Sequence, residues 1–168
     1  MRLAASDSED RMPVLRSILS LLEENAASYR RLSHEPTPTS EDSARVRGEP
    51  LAVGGKALIV KAADRYVLLV ISAARRLDSA KLKRALGVKK TRFATAEELR
   101  DLTGLVPGAV PPFGEPILPL PLYVDQSVLA NQRIAFNAGS LTDSIIMPID
   151  DYRRIASIEE VIDVAQDD

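Results

Sequence analysis

The chain has 168 residues, 45% of them hydrophobic and 27% charged, with 4% aromatics, no cysteine, one histidine and a net charge of −2. That length suits one domain with a substantial core, built from Leu, Val, Ile and Ala, while the missing cysteines exclude disulfides, thiol nucleophiles and Cys-based zinc sites, and the lone His34 excludes a multi-histidine metal site. No apolar run reaches the length of a bilayer span, and the acidic stretch from Ser6 to Asp10 lacks the basic-then-apolar order of a signal peptide, so a cytoplasmic location is expected.

Residues 1–11 read as a disordered leader. Pro13 suits a first helical turn, and Val14, Leu15, Ile18, Leu19, Leu21 and Leu22 then keep a helical period to about Ala27. Ser28 to Glu35 reads as a short strand. Thr39 or Ser40 is placed to cap a short helix that carries acids in its first turn and stops at Gly48. After Gly54-Gly55, the β-rich runs Lys56 to Lys61 and Tyr66 to Ile71 flank Ala62 to Arg65 and predict a hairpin, its second strand apolar on both faces and therefore central.

A helix is predicted from Leu77 to Leu86, with Gly87 as its stop, then a short strand from Thr91. Thr95 and Glu98 have capping-box spacing and open a helix that runs to Thr103. Pro119 to Val124 reads as a strand, and Asp125 caps a short helix to Ala130. Arg133 to Asn137 and Ser144 to Met147 are predicted strands. Pro148 to Ala156 reads as an acidic helix that could continue to Ala165. Hairpins with interspersed helices, and no repeated βα alternation, predict a single α+β domain over about residues 12–157, with a mixed, largely antiparallel β-sheet flanked by helices and an acidic tail or helix end at 158–168.

The run from Gly104 to Gly114 contains Pro107, Pro111, Pro112 and Gly108 and no charged residue. It can be neither helix interior nor central strand. An apolar Gly/Pro loop packs down and presents backbone N–H groups, which suit a carbonyl oxygen, a hydroxyl or a phosphate. Charge is uneven as well. Arg75, Arg76, Lys81, Lys83, Arg84, Lys89, Lys90 and Arg92 face one acid, Asp78, within eighteen residues. Such a patch can hold a polyanion or simply solvate a helix face. The negative net charge and the lack of a helix-turn-helix argue against a DNA-binding regulator.

Individual candidates carry two readings each. Lys56, starting an apolar strand after two glycines, can hold a phosphate or polarise a carbonyl; it can equally snorkel from a strand end. Asn137 can cap the glycine turn beside it or reach into a pocket. Thr39 and Ser40 are explained by helix capping alone. No Gly-x-Ser-x-Gly elbow, phosphate loop or paired-acid constellation occurs, so an enzyme built from this chain would act by positioning and hydrogen bonding, with no cofactor and no metal.

Taken in order, Thr39-Ser-Glu-Asp-Ser-Ala44, Gly55-Lys-Ala-Leu-Ile-Val60, the Gly104–Gly114 loop, Leu122-Tyr-Val-Asp125 and Phe136-Asn-Ala-Gly-Ser140 resemble the YbaK/ProX family of free-standing aminoacyl-tRNA deacylases, related to the editing domain of prolyl-tRNA synthetases. The resemblance covers about residues 13–157. It implies a trans-editing hydrolase that cleaves the ester of a mischarged aminoacyl-tRNA. A non-catalytic tRNA- or synthetase-binding module of the same fold is the alternative. Carried over by motif, Lys56 is the pocket lysine, and the amides of the Pro107-Gly108 bend are the oxyanion donors, which gives Gly108 a catalytic place. Thr39, Ser40, Gly104, Pro107, Phe113, Gly114 and Asn137 are implied to bind substrate. On this reading Arg76, Lys81, Lys83, Arg84, Lys89 and Lys90 grip tRNA phosphates, and a synthetase is a second candidate partner. Pro111-Pro112 departs from the family's more usual step before Phe-Gly, and the amino acid stays open among Pro, Ala, Cys, Ser and Thr.

Overall fold

A computed structural model describes residues 12–167, so the expected leader at 1–11 lies outside the described residues. The ladder between β2 (Gly55–Ala62) and β3 (Arg65–Ser72) is the frame of the molecule. It runs antiparallel from Gly55↔Ser72 to Ala62↔Arg65, which shrinks the expected turn to Ala63 and Asp64, with Ala63 at φ 57°. β4 (Thr91–Phe93) pairs with only the far end of β2, Val60 to Ala62. On the other side β5 (Leu122–Asp125) lies parallel to β3, and β8 (Glu160–Ile162) parallel to β5, giving the order β4-β2-β3-β5-β8.

The expectation of one sheet is corrected here. A second, antiparallel sheet has the order β1-β7-β6, from Arg30–Ser33, Asp143–Pro148 and Arg133–Asn137. An isolated parallel bridge, Gly54↔Ala135, ties the two sheets together. The α+β class, with mixed and largely antiparallel pairing, is as expected.

Helix α1 (Pro13–Glu24) buries Leu15, Ile18, Leu19 and Leu22 in the main core, the stripe that its 3.6-residue period dictates. Leu68 and Val70 of β3 face that core. Val67 and Leu69 face a second one, capped by Leu82 and Leu86 of α3 (Ser79–Leu86). An apolar run on both faces is thus covered on both faces, as a central strand must be. Asp78 caps α3 through the backbone N–H groups of Ala80 and Lys81, and the Thr95–Glu98 capping box starts α4 (Ala96–Thr103). A short α5 (Gln126–Leu129) follows the Asp125 cap.

The C-terminal expectation needs a second correction. α6 (Ile149–Ile155) stops because Ser157 turns left-handed at φ 58°, and the β-branched residues that follow form β8 instead of more helix. Ile162 and Val164 pack under α3, and the Val164 N–H donates to buried Asp125 at 2.7 Å. Within this segment Glu160–Ile162 therefore extend a sheet edge.

Candidate active site

Helix α2 (Ser40–Arg47) forms one wall of a cavity of about 480 Å³. Thr39 caps it, its hydroxyl accepting from the Asp42 N–H at 3.1 Å, and Gly48 ends it at φ 70°. Ser40, Ser43, Ala44 and Arg47, spaced i, i+3, i+4 and i+7, line the hollow. Gly54 and Gly55 set the floor. A Cβ on Gly55 would lie 2.7 Å from the Ile134 side chain, so only glycine lets β2 approach β6 this closely. Lys56 then leaves the sheet at the rim, exposed, beside the half of β2 that β4 does not cover. Among the described residues it has no ion pair or hydrogen-bonding partner.

The opposite wall comes from the Gly/Pro loop, which divides into two parts. Pro107 and Gly108 are exposed and line the cavity, with Gly108 at φ 88°. From Ala109 to Gly114 the chain is buried. Phe113 meets Phe136 and Tyr152 edge-on at 5.4 and 5.5 Å between ring centroids, and the buried Tyr152 hydroxyl donates to the Pro112 carbonyl at 2.7 Å. Burial pushes the Tyr152 phenol far above its ordinary range, so it stays a neutral donor. The distal part anchors the loop and the bend presents it.

Thr39, Ser40, Lys56, Pro107, Gly108 and Asn137 thus surround one hollow. Gly104, Phe113 and Gly114, implied by the resemblance to bind substrate, do not belong to its lining. Gly104 is the left-handed cap of α4, Phe113 fills the core, and a Cβ on Gly114 would strike the Leu120 carbonyl at 2.9 Å. The expected oxyanion amides of the Pro107-Gly108 bend reduce to one. Pro107 has no N–H, and the Ala109 N–H is spent on Val106 O. The Gly108 N–H is left, and no described acceptor takes it.

A polar network behind the cavity, built on Arg47 and Ser144, escapes the sequence reading. The buried Arg47 side chain donates to Ser144 Oγ and Asn137 Oδ1, and Asn137 Nδ2 donates to the Gly108 carbonyl. His34 Nε2 lies 2.7 Å from Ser144 Oγ. Burial brings the Arg47 guanidinium down to about 10, still charged at neutral pH. The periodicity that puts Ser40, Ser43 and Ala44 on one face of α2 carries Arg47 with them, and that was the available signal.

The basic segment is more dispersed than its sequence suggests. Lys83, Lys89 and Lys90 line a second hollow of about 360 Å³ with Lys61 and Arg92. Arg76 and Arg84 are exposed outside that lining. Lys81 differs from the other lysines. Its ammonium is held by Asp167 at 2.8 Å, Asp163 at 3.5 Å and the Ala165 carbonyl, and the Asp167 contact raises its pKa. Among the described residues no group of His, Asp and Glu side chains has the makings of a metal site, and no helix is long and apolar enough to cross a membrane.

Residues 34–155 match the model of the aminoacyl-tRNA editing domain. The multifunctional Ser/Thr-tRNA deacylase ProXp-y of Escherichia coli K12 is 35% identical over 152 residues, covering 86% of this chain and 89% of the relative. The prolyl-tRNA editing protein ProX of Acetoanaerobium sticklandii is 22% identical, over 86% and 91% of the two chains. A crystal structure of a protein proposed to be a trans-editing enzyme for prolyl-tRNA synthetase superposes with a TM-score of 0.78 at 26% identity, over 92% of this chain and 98% of that one.

Proposed function

The chain belongs to the family of aminoacyl-tRNA editing domains, and from that premise we propose how its cavity works: as a trans-editing hydrolase, it removes a small, hydroxyl-bearing amino acid, serine or threonine, from mischarged tRNA. The observation that carries the reading is the shared cavity, in which an unpartnered ammonium at Lys56 and a free N–H at Gly108 belong to the same lining.

An aminoacyl ester is already activated, so water suffices as nucleophile once the carbonyl is held. The negative charge that develops on the carbonyl oxygen is met by the Gly108 N–H, a preorganised donor. Lys56 supplies fixed positive charge at the rim, where it can contact the terminal nucleotide or the leaving ribose oxygen. Thr37 and Ser43, 2.6 Å apart, and Ser40 add hydroxyls to the α2 wall. That wall can pair with a substrate hydroxyl, and the name of the 35% identical relative points to the same two amino acids. A site that satisfies a hydroxyl rejects analogues lacking it, because its own polar groups would be left unpaired.

The tRNA body lies across the second hollow in this reading. Lys61, Lys83, Lys89 and Lys90 line it without ion-pair partners among the described residues. Lysines of this kind hold phosphates without reading bases. The test is a panel of tRNAs charged with Ser, Thr, Ala, Cys and Pro, incubated with the pure protein. Release of Ser and Thr ahead of the others is expected. Preferential release of Ala or Pro would overturn the proposed choice of amino acid.

A further inference from the structure

Arg47 is eight per cent exposed and forms part of the cavity wall. No described carboxylate pairs with it; nearby Glu49 is taken by Arg30 at 3.6 Å and Arg133 at 2.8 Å. A buried cation without a counter-charge is costly and persists where its hydrogen bonds are well placed. Here they are: Nε donates to Ser144 Oγ at 2.9 Å and Nη2 to Asn137 Oδ1 at 3.0 Å.

The donors and acceptors of the network follow from their chemistry. His34 Nδ1 donates to the Glu35 carbonyl at 2.8 Å, which can only accept. The Ser144 hydroxyl has two acceptors within reach, His34 Nε2 at 2.7 Å and Asn137 Oδ1 at 3.2 Å, and in either case a lone pair is left to accept from Arg47. Asn137 has one orientation. Only with Oδ1 toward the guanidinium does Nδ2 point at the Gly108 carbonyl, 2.8 Å away. Gly108 has no side chain to hold it and sits at φ 88°, so this bond, together with the Ala109 N–H to Val106 O, fixes the Gly108–Ala109 peptide plane. One Cα from that carbonyl is the free N–H.

We propose that Arg47 is a positioning residue for ester cleavage: through the Asn137 carboxamide it holds the Pro107-Gly108 bend with the Gly108 N–H turned toward the substrate carbonyl. The proposal rests on the deacylase reading above and adds a residue to it. The guanidinium fork is the requirement, since it reaches two acceptors in fixed geometry and a lysine ammonium does not.

The test uses the full chain with Arg47→Lys, Asn137→Ala and the double variant, each checked for thermal unfolding. Single-turnover deacylation is measured against protein concentration. Arg47→Lys is expected to lower the maximal rate about 100-fold, with the half-saturating concentration within about twofold of wild type. The double variant should be no slower than Asn137→Ala, because both changes cut one path. A wild-type rate in Arg47→Lys, additive losses, or a loss confined to half-saturation would each overturn the proposal. If Arg47→Lys does not fold, Asn137→Ala carries the test by the same criteria of rate and half-saturation. Independently of turnover, the Gly108 amide resonance of ¹⁵N-labelled protein should shift in Asn137→Ala, and an unmoved resonance would overturn the relay. A wild-type protein inactive on every mischarged tRNA, with that resonance shifted as expected, would remove the deacylase reading and leave the relay as a structural fact.

Discussion

Two glycines with positive φ separate the cavity bend from ordinary loop strain. Gly108 has φ 88° and Gly87 has φ 66°, both in the left-handed region. An added Cβ costs about 1–2 kcal/mol there. At Gly87 that Cβ meets nothing within 4 Å; at Gly108 it comes to 3.3 Å from Leu141 Cδ2, the end of an exposed side chain that can yield. Gly87→Ala and Gly108→Ala should therefore lose similar stability. For a chain of this size each kcal/mol lowers Tm by about 2–4 °C, so both variants should melt about 2–8 °C lower. Their activities should part. Relaxing Gly108 turns the peptide that carries the free N–H, and losing one such donor costs about 10²–10³ in rate. Gly87 caps α3 and lies outside the cavity lining, so Gly87→Ala should deacylate like wild type. Differential scanning fluorimetry and single-turnover deacylation read the two quantities. Equal activities at equal destabilisation would refute the assignment of the Gly108 bend to the reaction.

Lys56→Ala should slow single-turnover deacylation by at least about 100-fold with unchanged melting, since the exposed ammonium has no described partner to lose; a wild-type rate would count against its role. Reversing Lys83, Lys89 and Lys90 to Glu should weaken tRNA binding and flatten the plot of log affinity against log salt, by about 0.7–0.9 for each phosphate no longer neutralised, and an unchanged slope would remove the second hollow from the interface. Tyr152→Phe leaves the Pro112 carbonyl unpaired in the core and should cost about 1–3 kcal/mol, seen in urea denaturation. At the acid end, Arg92 beside Glu98, with the Thr95 N–H and Tyr66, holds the Glu98 carboxyl well below its usual range. Its stabilisation is complete above the ordinary glutamate value of about 4.3 and fades as pH falls toward the lowered one, so Glu98→Gln should flatten the stability curve below about pH 4.3.

What could be read from the residues was mostly local. The Thr95–Glu98 capping box, the glycine stops at 48, 87 and 104, and the doubly apolar run of β3 have direct sequence signatures, and those elements lie where they were expected. The split into two sheets was not legible, because it depends on Gly55 letting β2 approach Ile134 across a long sequence separation. The strand within the expected acidic tail or helix end was hidden because the acids there obscured the β-branched Val161, Ile162 and Val164; Ser157 turns the chain before a helix could continue. At the site, Lys56, Gly108 and Asn137 stood out through the family resemblance of their motifs, and the three line one cavity. Phe113 and Gly114 share the same motif yet serve packing, since a motif does not say which of its residues face the hollow. Arg47 was hidden by its composition: an arginine one residue before a glycine stop reads as a helix-end charge.

The most direct measurement pairs wild type with Lys56→Ala on seryl and threonyl esters of mischarged tRNA under single-turnover conditions, with folding of both confirmed. Rapid release by wild type and slow release by a folded Lys56→Ala are predicted. Intact esters with wild type, or equal release by both proteins, would contradict cleavage in the cavity between Lys56 and the Gly108 bend.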